Sequence, residues 1–286
     1  MIVTLTLNPA LHVGYRSGRV GLGRANEVSQ VSYWPGGRGL AVARTLHTFG
    51  HEVVAAGLAG GASGEVIRAE LARAGVATQF TPIAADSRQV LEVTDDATGA
   101  VTTFREPAPY ITTEELGRLA ADYRALMTDA TAAVLCGSLP AGLPAETYGS
   151  LASYAADAGV PVVLDAAGRA LWHGAARRPA LVIPEPPARD PAGLLASGVG
   201  GVALLLPEAV RVVTAQARWR ASLAAGSGRS RDALVAGFVP GIALGWSWPD
   251  MLRHAVALMA AVRAAGEVDL DAYEAVVPQV AVKKTG

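Results

Sequence analysis

The run Gly226-Ser227-Gly228-Arg229-Ser230-Arg231-Asp232-Ala233-Leu234-Val235-Ala236-Gly237-Phe238 decides how this chain is read. Its second half has the composition of a buried helix with an acid on its first turn. The first half sits where a glycine-rich anion cradle belongs, in which backbone N–H groups approach an anion at a helix N-terminus. Two arginines, Arg229 and Arg231, stand where small residues are expected. Asp232 fits two roles, a base that accepts a proton and a helix N-cap.

Outward from this run, short apolar stretches alternate with helical patterns, the mark of a largely parallel sheet with helices on both faces. Residues 3–7, 53–58, 132–136, 162–165, 181–184, 202–206 and 210–214 read as strands. Residues 40–49, 64–74 and 145–158 read as helices, stopped by Gly50, Gly75 and Gly159. Thr112 and Glu115 form a capping box for a helix reaching residue 126. Ser247 with Asp250 starts a helix to about residue 264, and Asp269 caps a short last one. The uncharged run between Asp232 and Asp250 contains Gly237, Pro240, Gly241, Gly245 and Pro249. It reads as two buried helices with a turn at Gly245-Trp246-Ser247, not as a membrane span. Two polar, strand-like regions, 13–34 and 89–105, break the rhythm, the second folding back around Asp95-Asp96-Ala97-Thr98-Gly99. They are expected to form a small antiparallel sheet beside the main unit. Its apolar face would need a cover, as a lid or a dimer interface. Residues 1–286 are read as one domain.

Composition narrows the function. Hydrophobic residues make up 51% of the 286, and mean hydropathy is +0.31, enough for a packed core. The net charge of −1 gives no electrostatic case for nucleic acid or an anionic membrane. The chain enters an apolar strand directly from Met1 without a basic leader, and a cytoplasmic location is expected. The single cysteine, Cys136, cannot form an internal disulfide; it reads as a buried strand-end thiol, with a nucleophile as the alternative. Five histidines show no metal-ligand spacing, so no protein metal site is expected. Neither a G-x-x-x-x-G-K-[ST] loop nor a G-x-S-x-G elbow is present.

Four segments are candidates for binding. Gly36-Gly37-Arg38-Gly39 precedes a helix and suits either an anion or a plain turn. Gly60-Gly61-Ala62-Ser63-Gly64 follows a strand, at the end where ligands bind in open α/β sheets. Gly137-Ser138-Leu139-Pro140 offers a hydroxyl and N–H groups, or an ordinary strand-to-helix turn. Asp165 at the end of its strand either faces a site or caps the next helix.

In order, Leu7-Asn8-Pro9-Ala10-Leu11, Pro35-Gly36-Gly37-Arg38-Gly39, Gly60-Gly61 with Gly64-Glu65, Gly137-Ser138-Leu139-Pro140, Val163-Leu164-Asp165 and Asp232–Phe238 resemble the motif series of the PfkB carbohydrate kinases. The likeness is nearest to the phosphofructokinase and tagatose-phosphate kinase branch. It implies a ribokinase-like α/β fold, a mostly parallel sheet flanked by helices with a β lid, and dimers through that lid. It implies ATP and Mg2+, and transfer of the γ-phosphoryl group to a hydroxyl of a sugar phosphate. By resemblance Asp232 is the base. His12, Gly36, Gly37, Arg38, Gly39, Arg88 and Ser138 would hold the sugar phosphate. Arg229, Ser230 and Arg231 would stand at the anion hole, and Gly198 and Gly200 would be what remains of a nucleotide loop.

Four departures touch different ligand groups. His12 replaces an acid that grips sugar hydroxyls, and an imidazole is read as the poorer acceptor. Gly39-Leu40-Ala41 lacks a substrate-contacting Asn, and Arg38 replaces a Lys. Ile183-Pro184-Glu185-Pro186-Pro187-Ala188 replaces a run that aids Mg2+ and phosphates, and about one helix plus one strand after it is shortened. Arg229-Ser230-Arg231 replaces the glycine cradle; losing one anion-hole donor costs roughly 100- to 1000-fold in rate. The expectation is a kinase-like protein with weak or lost catalysis. An active kinase using Asp232 and a non-catalytic sugar-phosphate or anion-binding regulator are the alternatives.

Overall fold

Asp232 and Asp165 come together because a ten-stranded sheet carries their elements to one end. The structure, a computed structural model, describes residues 1–185, 191–222, 230–262 and 268–285. Its strands are β1 (Ile2–Thr6), β2 (Ala10–Ser17), β3 (Gln30–Gly36), β4 (Val53–Ala59), β5 (Ala77–Pro82), β6 (Arg88–Asp95), β7 (Val101–Arg105), β8 (Ala132–Cys136), β9 (Val162–Asp165), β10 (Leu181–Val182), β11 (Val202–Leu206), β12 (Ala209–Val213), β13 (Arg218–Ser222) and β14 (Val282–Lys284). Its helices are α1 (Arg38–Thr48), α2 (Gly61–Arg73), α3 (Thr113–Met127), α4 (Thr147–Asp157), α5 (Gly168–Ala175), α6 (Pro191–Ala196), α7 (Arg231–Leu244), α8 (Trp248–Ala261) and α9 (Leu270–Val276).

The main sheet runs β14-β13-β12-β11-β10-β9-β8-β1-β4-β5. Pairings from β5 to β11 are parallel, and β11 to β14 are antiparallel. The central strands β1 and β8 are buried along their whole length, as expected for strands covered on both faces. Two apolar clusters fill those faces. One joins α1, α7 and α8 to the sheet; the other joins α3, α4, α5 and α6 to it.

The sequence reading places most elements within a few residues. The Thr112–Glu115 capping box is formed, with both reciprocal bonds present. The uncharged run folds as α7 and α8, and Gly245 ends α7 in the left-handed region at φ 69°. Five short elements are not among those expected from the sequence: β5, β13, β14, α5 and α6. The small sheet, β3-β2-β6-β7, is made of two antiparallel hairpin pairs. Their junction, β2 with β6, is parallel, which the expectation of an antiparallel sheet did not include. The antiparallel hairpins follow from local turns, whereas the β2–β6 pairing joins segments far apart in sequence.

Helix α7 is buried on all sides from Ala233 to Gly241, which fits its lack of amphipathicity. It runs through Pro240, which deprives the Ala236 carbonyl of its N–H partner without ending the helix. Its glycines set the distance to α8. A Cβ at Gly237 would overlap the backbone of Ala255, and one at Gly241 would overlap the Met251 side chain. Gly237→Ala is therefore expected to destabilise the fold by about 1–3 kcal/mol through overpacking. Urea denaturation checks this; an unchanged midpoint would contradict the close helix contact.

Candidate functional site

The first turn of α7 carries Asp232, but Ser230 is the N-cap, its hydroxyl accepting the Ala233 N–H at 3.2 Å. The N-cap reading of Asp232 is thereby corrected: a capping Ser two residues earlier leaves the aspartate side chain unneeded for that task. The Ser230 hydroxyl is correspondingly engaged in the cap. Burial pushes the Asp232 carboxyl up to about 6, with the nearby Asp165 adding to the rise and Arg38, Arg231 and Arg44 opposing it. A carboxylate titrating there is suited to take a proton near neutral pH.

Asp165 ends β9 and is fully buried. Of its two readings, the structure supports the site: the N-cap of α5 is Ala167, without a side-chain cap bond. Arg231 donates to Asp165 Oδ1 from Nε at 2.9 Å and from Nη2 at 2.5 Å, and Nη2 also donates to the Ile183 carbonyl at 2.6 Å. Arg38 Nη1 donates to Asp165 Oδ1 at 3.4 Å and Oδ2 at 3.3 Å, and it pairs with Glu185. Burial works to lower the Arg38 pKa, but Asp165 and Glu185 outweigh it and the net shift is upward. Cys136 lies below, fully buried; burial and then the two aspartates push its thiol well up, which removes the nucleophile reading.

The glycines before α1 let it seat on β1. Gly37 has φ 131°, and a Cβ at Gly39 would overlap the Thr6 hydroxyl. A Cβ at Gly36 would overlap the His12 ring. His12 itself is oriented by Glu92, with Nδ1 3.1 Å from Oε1, and packs against Trp34 at 5.3 Å between ring centroids. Burial lowers its pKa against the opposing pull of Glu92. A neutral ring donating from Nδ1 leaves Nε2 as an acceptor, a tautomer assigned from this bond. Glu92 orients the ring so that its one acceptor, Nε2, is left available, fewer acceptor sites than the acid expected there would offer.

Arg88 Nε donates to Asn8 Oδ1 at 3.1 Å, and Asn8 Nδ2 donates to the Ser138 hydroxyl at 3.1 Å. The terminal nitrogens of Arg88 have no partner among the described residues. Burial, with Arg105 second, lowers its pKa. Gly60 N donates to Ser87, and a Cβ at Gly61 would strike Asp86, so the Gly60–Gly64 segment opens α2 against the β6 entry.

The structure thus brings together Asp232, Arg38, Arg231 and Ser230, and a second group of Arg88, Ser138, His12 and Gly36. It does not bring Gly198 and Gly200 to them. Gly198 packs on Arg178, and Gly200 N donates to the Pro179 carbonyl, at the amino ends of β10 and β11. Asp165 and Ile183 lie at the carboxyl ends of β9 and β10, so the glycines are on the wrong side of the sheet. The likeness to a nucleotide loop rested on the short glycine pattern alone, which does not tell one end of a strand from the other. Arg229, with Gly226 to Gly228, and Pro186 to Ala188 lie outside the described residues. Three participants were missed: Asn8, Glu92 and Glu185. Glu92 lies diagonally across from His12, and only the β2–β6 register reveals it.

The resemblance implies Mg2+, and of the aspartates at this site Asp232, not Asp165, would be left to hold it together with substrate phosphates. Hard cations take free oxygen ligands. Both Asp165 oxygens and one Glu185 oxygen already accept from guanidinium groups. Among the described residues no group of three or more His, Cys, Asp or Glu is placed to hold an ion.

The fold and this site define a sugar-kinase architecture, and comparison with known proteins gives the family. The profile of the pfkB family carbohydrate kinases matches residues 11–185, and the chain belongs to that family. Two Staphylococcus epidermidis strains have a tagatose-6-phosphate kinase that is 33% identical over 171 residues, 60% of this chain. The match spans about half the length of those relatives, 54%. A putative phosphofructokinase from Staphylococcus aureus superposes with TM-score 0.87 at 23% identity, over 100% of this chain and 99% of its own. Phosphofructokinase-2 from Escherichia coli, in complex with fructose-6-phosphate, gives TM-score 0.86 at 24% identity over 98% of both chains. The fold is ribokinase-like, as in those two structures. No helix among the described residues is long and apolar enough to cross a membrane.

The raised Asp232 pKa has a stability consequence. The unfolded chain loses this proton near the ordinary 3.8 and the folded chain near 6, so stability falls as pH rises between those values. Asp232→Asn removes the penalty. Its stability relative to wild type should be greater at about pH 7.5 than at about pH 4, by about 2–3 kcal/mol. Chemical denaturation at the two pH values checks this; equal differences would contradict the burial of Asp232.

Proposed function

We propose that this chain is a sugar-phosphate-binding member of the carbohydrate kinase family in which phosphoryl transfer is weak or lost. The observation that carries this is Arg231. It stands one residue before the candidate base, and its guanidinium fills the space beside Asp165. Its bulk lies where a transferred phosphoryl group would have to pass. The binding half supports the other part of the reading. Arg88, through Asn8 and Ser138, offers a guanidinium for a phosphate, and His12 Nε2 accepts from a sugar hydroxyl. The ligand class is a ketohexose phosphate, in keeping with the tagatose-6-phosphate and fructose-6-phosphate of the relatives' names.

The second reading, an active kinase, draws on Asp232: a carboxyl titrating near 6 is matched to base catalysis. ATP would then be the donor. Coupled turnover with ATP and fructose-6-phosphate, fructose-1-phosphate or tagatose-6-phosphate separates the two. The proposal expects background turnover that Asp232→Asn does not change. It also expects calorimetric binding of at least one sugar phosphate, weakened about tenfold or more by Arg88→Ala. Turnover abolished by Asp232→Asn establishes the second reading instead.

The small sheet is proposed as a lid over this site and as a homodimer interface. Val31, Tyr33 and Phe104 are exposed at 48%, 51% and 58%, on the face opposite His12. Exposed apolar side chains grouped on one sheet face favour a partner surface. Sedimentation is expected to give a dimer for wild type and a monomer for Tyr33→Asp/Phe104→Asp. A wild-type monomer, or a variant still dimeric, would contradict the interface.

A further inference from the structure

The last three strands of the main sheet carry a row of cations on one face. The registers place Arg211 of β12 opposite Arg220 of β13, and Arg220 opposite Lys283 of β14. Arg218 stands two residues from Arg220 and so on the same face. Val210, Val212 and Ala221 point the other way, into the core cluster shared with α7 and α8, and the cations therefore face outward.

Like charges directly opposite each other destabilise a sheet. Nothing nearby offsets them: β11, β12, β13, β14 and α6 contain no Asp or Glu. None of the four cations has an ion-pair partner among the described residues, and Glu208 in the β11–β12 turn pairs with none of them. Cations on an edge strand discourage unwanted strand pairing, which accounts for β14. It does not account for Arg211, Arg218 and Arg220, because β12 and β13 are paired on both sides.

The row borders a cleft. Helix α6 packs along β11 and leaves a space of about 150 Å3 lined by Pro191, Ala192, Leu195, Val213, Arg211 and Arg218. Its floor is apolar and its polar wall is two guanidinium groups. A guanidinium fork matches phosphate oxygens, and two of them match a dianion. Three strands span only roughly 10 Å, the reach of one small molecule and not of a polymer.

The geometry points to a second ligand site on this face, for a small phosphate monoester. Arg211 and Arg218 hold the phosphate, the carbon stem lies on Leu195 and Val213, and Arg220 and Lys283 add charge beside it. This place is independent of the proposed function: α7, with Asp232, packs on the opposite face, and Arg88 begins β6 of the small sheet.

The test is calorimetric titration of glycerol 3-phosphate into the full chain as Arg88→Ala, with and without Arg211→Gln/Arg218→Gln. Arg88→Ala removes the proposed sugar-phosphate contact and leaves the cation row intact. Glycerol 3-phosphate is expected to bind it, and to lose tenfold or more in affinity when the two glutamines are added. Without ligand, those glutamines are expected to leave the melting temperature unchanged or higher, since they relieve repulsion. Arg220→Gln, at an exposed position, is the second variant and is expected to weaken binding severalfold. No binding by Arg88→Ala overturns the inference, as does binding indifferent to all three glutamines. Binding no tighter than that of inorganic phosphate overturns the monoester assignment. Duplex DNA binding that the glutamines weaken, without binding of the small phosphate, overturns it in favour of a polymer. Absence of fructose-6-phosphate binding in wild type counts against the proposed function and leaves this inference standing.

Discussion

A carboxylate with no access to water, Asp165, sets the terms for this molecule. Removing its charge from water is costly, and only well-placed donors offset that. Two arginines distant in sequence, Arg38 at the start of α1 and Arg231 at the start of α7, meet on it. The Ile183 carbonyl and Glu185 extend the network to the chain leaving β10. One buried charge thus ties two helix N-termini and two strand ends into a single arrangement. The first turn of α7, and with it Asp232, is held by that network as well as by its own Ser230 cap.

The site has two halves of different character. Arg88, Asn8 and Ser138 form a hydrogen-bonded chain and His12 is held by Glu92; the small sheet presents Arg88 and His12, and the main sheet's β1 and β8 lead to Asn8 and Ser138. Around Asp165 the opposing charges satisfy each other. On the proposed reading a ligand phosphate meets the Arg88 charge in the first half. In the second it meets a network that would have to be shared. On the proposed reading this asymmetry is why binding survives where transfer is weak or lost.

Much of the fold was legible because each signal was local. The Thr112–Glu115 box, the glycine stops of α1, α2 and α4, and the turn between α7 and α8 depend on residues close in sequence. The parallel strands were legible as apolar runs. What stayed hidden was pairing. Nothing within β13 or β14 announces a strand, because their stability comes from antiparallel neighbours at the sheet edge. Glu92 became visible only through the β2–β6 register. The same holds at the site. Arg231 was legible as an intruder in a glycine cradle, yet its partner was not, since Asp165 lies 66 residues away. Gly198 and Gly200 were misplaced for the complementary reason: a short glycine-rich run reads alike on either side of a strand.

The central claim is that Arg231 and Asp165 are energetically one unit, and a double-mutant cycle measures that directly. Unfolding free energies would be compared for wild type, Arg231→Gly, Asp165→Asn and the double variant. A buried pair predicts a coupling energy of about 1 kcal/mol or more, with each single variant destabilised beyond the share it contributes to the double. Additivity to within about 0.3–0.5 kcal/mol would mean that the two side chains act independently, and would contradict the account.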